Sequence, residues 1–288
     1  MTEQELEKLR RDKWRTNGMP VATFEDAHAF IDSVGLCLMY PLKPPVLLPS
    51  FLAATLGDDR ALPTAKQAFA DDRAQHAFDF VHRLVADHKA FESNLFAENS
   101  LLLSPTVFPY FYVLAAERTT GASRDPLSQL ATLAWKALEE APQTRHSLRE
   151  KLGAELSITA VERALGELWM RLRVLPIERD GEQYWDTTER WAPEAVKESL
   201  RVPMAVALSA LISQYLEAVV AAESREVEDF FSHFAPRSKV KEAVNALLAA
   251  REFSFVNVGH RSLLQMSPTA PSAPREPRRP SRKEKRHA

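Results

Sequence analysis

Residues 126–190 read PLSQLATLAWKALEEAPQTRHSLREKLGAELSITAVERALGELWMRLRVLPIERDGEQYWDTTER, and a change of period inside this stretch decides the fold. Leu130, Leu133, Ala134, Ala137 and Leu138 recur at helical spacing. Asp125-Pro126 is expected to open that helix, with Asp as N-cap and Pro in the first turn. Pro142 closes it. Thr144 is expected to cap a second helix that stops at Gly153. A third helix is expected over 158–172, with Ile158, Val161, Leu165, Leu168, Trp169 and Leu172 inward and a capping-box spacing at Thr159 and Glu162. The apolar period then drops to two, and VLPIERDGEQYWDTT predicts a hairpin turning at Asp180-Gly181. Three helices and a hairpin are the order of a winged helix, a helix-turn-helix module with a trailing β-wing.

The order recurs downstream. Residues 202–222 predict a helix with Leu208, Leu211, Ile212, Tyr215 and Val219 on one face, and 227–234 a short second helix. Pro236-Arg237-Ser238 opens a third, and FSFVNV, Gly259-His260 and RSLLQM form another hairpin. The two turn glycines, Gly181 and Gly259, stand at matching places in the two runs, which marks an internal repeat of elements without repeat of residues. The expected fold is therefore mainly α with small β-hairpin wings, in tandem winged-helix modules at 126–190 and 203–266. Residues 1–120 form a mostly helical N-terminal domain, possible as a degenerate winged helix. There 24–34 and 66–96 read as helical, 36–49 as extended, and 104–116 as an apolar segment broken by Pro105 and Pro109.

Composition narrows the function classes. A chain of 288 residues with 45% hydrophobic and 26% charged residues can bury a sizeable core. A single cysteine excludes an internal disulfide framework and multi-cysteine metal centres, and fits a reducing compartment. The charged N-terminus MTEQELEKLRRDKW lacks a signal-peptide core, so a cytoplasmic protein is expected. The longest apolar run, 202–222, is interrupted by Ser209, Ser213, Gln214 and Glu217, so no membrane span is expected. The tail 267–288 carries seven Lys/Arg against two Glu, a net of +5, on a body whose 30 basic and 37 acidic residues give −7. With five prolines and no large apolar residue, that tail reads as a disordered basic segment able to hold nucleic acid or simply to solubilise.

The segments LSQLATLAWKALEEAPQTRHSLREKLG and AVERALGELWMRLRVLPIERDGEQYW resemble the AlkZ/YcaQ-type DNA glycosylases. That resemblance implies tandem winged helices and an origin among bacterial enzymes that excise alkylated bases and unhook interstrand crosslinks. It also implies a Gln-x-Gln or Gln-x-Asp pair shortly after a glycine in the N-terminal third. The stretch in that place here is Val34-Gly35-Leu36-Cys37-Leu38-Met39-Tyr40-Pro41, without amide or carboxylate. A glycosylase needs a group to activate or orient water beside a flipped nucleotide. The resemblance thus implies a DNA-repair protein of this family lacking its catalytic motif.

Candidate sites follow from residue chemistry. Arg237, Ser238, Lys239, Lys241 and Asn245 gather at the start of the last helix, where basic and hydroxyl groups suit phosphate and Asn can read adenine. His260 and Arg261 lie at the adjacent wing tip, and the set is expected to hold double-stranded DNA. The earlier helix from Thr159 is a poorer reader, because Glu162 and Glu167 repel phosphate. His76, His82 and His88 are six apart and cannot share a helical face, so no metal and no cofactor is expected. A surface pair of His82 with Asp79 is expected instead. Cys37, Trp135, Trp169 and the run Tyr110-Phe111-Tyr112 read as core. Three functions remain: a non-catalytic DNA-binding protein, an active DNA glycosylase with a substituted group for which Asp32 is the candidate, and a scaffold whose winged helices bind a protein partner.

Overall fold

The computed structural model describes residues 1–42, 46–60, 62–63, 65–68, 70–96, 99–120, 126–179 and 181–268, apart from the side chains of 65–66, 73 and 117–120. Nearly all of the expected disordered tail, from 269 onward, lies outside the described residues.

The chain runs α1 (Glu3–Lys13), α2 (Phe24–Val34), β1 (Leu36–Leu38), α3 (Phe51–Leu56), α4 (Ala65–Ala68), α5 (Asp72–Ala86), β2 (Phe91–Phe96), β3 (Asn99–Leu103) and α6 (Phe108–Thr120). It continues with α7 (Gln129–Glu140), α8 (Arg145–Leu152), α9 (Ile158–Trp169), β4 (Val174–Arg179), β5 (Glu182–Thr187), α10 (Thr188–Trp191) and α11 (Pro193–Ser199). The last elements are α12 (Met204–Val219), β6 (Ala221–Ala222), α13 (Ser224–Phe231), α14 (Arg237–Ala249), β7 (Phe253–Val258) and β8 (Arg261–Met266). The protein is mainly α with antiparallel β-hairpins. No single helix among the described residues is long and apolar enough to cross a membrane.

One connectivity occurs three times. In the first region a helix (α2) leads to a strand (β1), further helices (α3 to α5) and a hairpin (β2–β3), and the sheet order is β1-β3-β2. In the last region α12, β6, α13, α14, β7 and β8 repeat this, with sheet order β6-β8-β7. In the middle region α7, α8, α9 and the β4–β5 hairpin follow the same path. The place of the first strand is held there by Gln143, which exchanges two backbone hydrogen bonds with Trp185 of β5 at 3.1 and 2.8 Å. In each region the hairpin's second strand pairs with the segment that follows the first helix.

Capping follows local chemistry, with two departures from expectation. Thr144 caps α8 with a reciprocal bond to Ser147, as its spacing predicts. However, α7 starts at Gln129 because the Ser128 hydroxyl accepts from the Ala131 N–H at 3.2 Å; Asp125 lies outside the described residues. Likewise Ser157, not Thr159, caps α9. The run 66–96 is not one helix. It breaks at His88, whose φ of 55° leaves the helical basin, and Phe91–Phe96 turns into strand. Segment 104–116 is not broken by its prolines either: Pro109 sits in the first turn of α6, where no N–H is needed.

One hydrophobic cluster joins the three regions. It unites Leu36 and Leu38 of β1, Phe108 and Phe111 of α6, Leu175 of β4, and Leu211, Tyr215 and Phe231 of the last region. A second cluster fills the first region, from Phe30 and Ile31 to Cys37 and Phe51, and a third lies under α7–α9. N-terminal α1 clamps the last region. Arg10 donates to the carbonyls of Val219 and Ala221 at 3.0 and 2.6 Å, and the Trp14 indole donates to Ala218 at 2.8 Å. The Ala218 and Val219 carbonyls are among those freed where Val220, at φ 70°, ends α12.

Candidate functional site

The start of α14 is exposed and already neutralised. Pro236 precedes the helix and no side chain caps it. Arg237 reaches back to α13, donating to Glu228 at 2.9 Å and to Asp229 at 2.8 Å. Those carboxylates hold its guanidinium pKa above the ordinary value, first through the Glu228 hydrogen bond. Lys241 stands 3.7 Å from the same Glu228, and Lys239 bonds Glu242 of its own helix at 2.8 Å. Ser238 and Asn245 are exposed on this helix, while Val240, Val244 and Leu247 bury the opposite side.

The wing-tip residues have different neighbours. Gly259 turns the β7–β8 hairpin at φ 59°, and His260 is exposed beside it. Arg261 lies 3.6 Å from Glu3 of α1 and 3.8 Å from Glu223. Beneath that pair Leu6 of α1 packs with Ala221, Val258 and Leu263. Arg237 and Arg261 therefore share no partner. One group of the expected cations faces α13 and the other faces α1.

A cleft of about 630 Å³ opens between α9 and the α13–α14 corner. Ser128, Glu167, Arg171, His233, Phe234 and Arg237 line it. Glu167 accepts the Ser128 backbone N–H at 2.9 Å and lies 3.4 Å from Arg171. On the outer side of α9, Glu162 pairs with Arg145 at 2.9 Å. The carboxylates expected to disfavour phosphate on this helix thus neutralise neighbouring arginines.

At β1 the side chains of Cys37 and Met39 pack among apolar residues. Gly35, at φ 71°, ends α2, and a Cβ there would stand 2.5 Å from Gln214 of α12. Cys37 then pairs with Leu102 of β3, and the Met39 N–H bonds Ser100 at 2.9 Å. Cys37 is fully buried and Met39 is 3% exposed, both in the cluster with Phe30, Ile31 and Phe51. Burial alone pushes the Cys37 thiol far above its usual range, so it carries no thiolate. Asp32 stands apart from this strand. It is exposed on α2 and bound to His28 at 3.2 Å. His82 pairs not with Asp79 but with Glu178 of β4, at 3.6 Å.

Glu92 of β2 has no place among the residues singled out from sequence. It lies in the same row across the sheet as Leu102 and Cys37, and its carboxylate accepts the Ser100 hydroxyl at 2.6 Å. Its pKa is raised, first by burial, against the opposing Ser100 bond and His82 charge. Tyr40 is pushed up to about 12 by burial and then by Glu92. Burial alternates at Phe91, Ser93 and Leu95, but Ser93 is polar, so the sequence shows no apolar period of two that would place Glu92 on a strand. Among the described residues, no group of three or more His, Cys, Asp or Glu is arranged to hold a metal ion.

The chain is similar to known proteins. A family model described as "DNA glycosylase AlkZ-like" matches residues 73–283. Among solved structures, the Streptomyces sahachiroi DNA glycosylase AlkZ is similar at TM-score 0.61 and 16% identity, covering 93% of this chain and 70% of that one. The DIP2311 protein of Corynebacterium diphtheriae aligns over 67% of this chain and 38% of its own at 13% identity, and its TM-score of 0.19 carries no argument. No curated protein matches.

Proposed function

The chain belongs to the AlkZ-like DNA glycosylase family, and we propose that within it this protein binds duplex DNA through tandem winged helices without excising bases. The repeated path of helix, strand, helices and hairpin supports three such modules, near 24–103, 126–190 and 203–266. In this reading the 630 Å³ cleft and the adjoining start of α14 face the duplex, and Arg237, Ser238, Lys239, Lys241 and Asn245 meet its backbone and edges. Their ion pairs are exposed, and such pairs contribute only about 0–1 kcal/mol, so phosphates compete for the cations effectively. His260 and Arg261 contribute at the wing, where Glu3 and Glu223 must be displaced.

The observation that carries the non-catalytic reading is the burial of Cys37 and Met39 in an apolar cluster, on the strand after Gly35. Neither side chain orients water or stabilises positive charge on a sugar. Removing one such transition-state interaction typically costs about 2.7–4 kcal/mol, a hundred-fold or more in rate. Incubation with an alkylated duplex tests the reading: a salt-dependent shift is expected with abasic sites at the background rate.

A second reading, a scaffold that holds a protein partner, is favoured by one observation, that Arg237, Lys239 and Lys241 already face carboxylates. Duplex affinity that stays flat with salt supports that alternative.

A further inference from the structure

A separate cleft of about 360 Å³ lies between α5 of the first region and the β4–β5 hairpin of the second. Val81, Val85, Pro176 and Ile177 form apolar walls. Glu92 reaches into it, while His82, Glu178 and Gln183 are exposed at its mouth. Glu92 is half-buried and lines this cleft. One carboxylate oxygen is held by Ser100 at 2.6 Å, and no described protein group bonds the other. A carboxyl in such a place is costly to ionise without a cation beside it. Among the described residues, no lysine or arginine lines the cleft to supply one.

We propose that this cleft binds a small planar organic cation, an amidinium or guanidinium carried on an apolar body, with Glu92 as the inner partner and Glu178 at the mouth. Planar forked donors match a carboxylate in bidentate geometry, and the apolar walls take the body. The volume suits a ligand of one ring. The site is distinct from the proposed DNA surface, which lies at the α9–α13–α14 cleft. Burial pushes the Glu92 carboxyl above its ordinary range, and a cation beside it would favour the ionised form. The titratable groups around it are His82 on α5, Glu178 on β4 and Tyr40 after β1. As pH falls, Glu92 takes up its proton, which weakens cation binding.

Calorimetric titration of the full chain with benzamidine, and with neutral benzamide of the same shape, tests the site. Benzamidine is expected to bind saturably, at least about tenfold tighter than benzamide, which corresponds to one charge-assisted contact. Glu92→Gln keeps an acceptor for Ser100 and is expected to lose that tenfold preference. Glu178→Gln, at an exposed position that cannot threaten folding, is expected to lose a few-fold. Equal binding of amidine and amide, no saturation, or unchanged affinity in both variants overturns the proposal.

Discussion

At the start of α14, Arg237, Lys239 and Lys241 stand in solvent, each beside a carboxylate. At β1, Leu36 and Leu38 face the cluster that joins all three regions, while Cys37 faces the core of the first region, which Ala218 of α12 also joins. The first place is open and tuned by charge. The second is closed and fixed by packing. Binding at an exposed ion-pair network is adjustable by one substitution, since its energies are small and screened. Polar chemistry at a close-packed strand is not, because a new amide there must be desolvated and housed.

The largest effect that sharpens this contrast is expected at β1. Cys37→Gln inserts a longer side chain and an unsatisfied amide into a fully buried position. Overpacking and polar burial each cost roughly 1–3 kcal/mol, so a clear fall in melting temperature is expected, with no gain of base excision. A Cys37→Gln protein that melts like wild type and forms abasic sites breaks the picture of a closed strand.

The next effect lies at α13–α14. Glu228→Gln removes the carboxylate shared by Arg237 and Lys241. Duplex affinity is expected to rise several-fold. Arg237→Ala is expected to lower it and to reduce the salt slope by about 0.9 for each phosphate that is no longer neutralised. Titrations at several salt concentrations check both. Affinity unchanged in both variants places the duplex elsewhere.

Glu92 connects the comparison to pH. Its folded pKa lies above the ordinary carboxylate value, so the folded chain holds a proton that the unfolded chain has lost. Stability from this group is full below about pH 4.3 and falls as pH rises toward the folded pKa. Glu92→Gln removes that fall, so the variant's melting temperature is expected to gain on wild type from about pH 4.3 upward. Parallel curves across this range contradict the buried carboxyl.

Much of the last two regions is legible in the sequence, because the turn glycines Gly181 and Gly259 sit between short strand-forming runs and helical apolar spacing precedes each hairpin. The first region is less so. No glycine or proline marks the end of α5; His88 in a left-handed conformation does, with the Lys89 and Ala90 N–H groups closing on Leu84. The strand Phe91–Phe96 therefore merges with the helical pattern before it, and Glu92 disappears into it. The strand role of Gln143 is invisible for a different reason: it rests on two backbone bonds to Trp185, 42 positions on, which no side-chain pattern encodes. The cations of α14 are plain in sequence, but the α13 carboxylates paired with Arg237 and Lys241 become partners only through the α13–α14 corner.

The smallest effect is expected at Asp32, whose exposed pairing with His28 on α2 leaves Asp32→Asn within about 0.5 kcal/mol of wild type and without effect on DNA. A melting curve and a duplex titration check it. Loss of an excision activity in this variant instead makes Asp32 a catalytic group.

Binding without excision has two terms, and one experiment reads both. The wild-type chain is incubated with a labelled duplex carrying an alkylated base, the retained duplex is measured against salt, and abasic sites are revealed by alkaline strand cleavage. Salt-dependent retention of the duplex is expected, with strand cleavage no faster than without protein. Cleavage at the alkylated base that grows with protein concentration contradicts this and returns the chain to its family's chemistry.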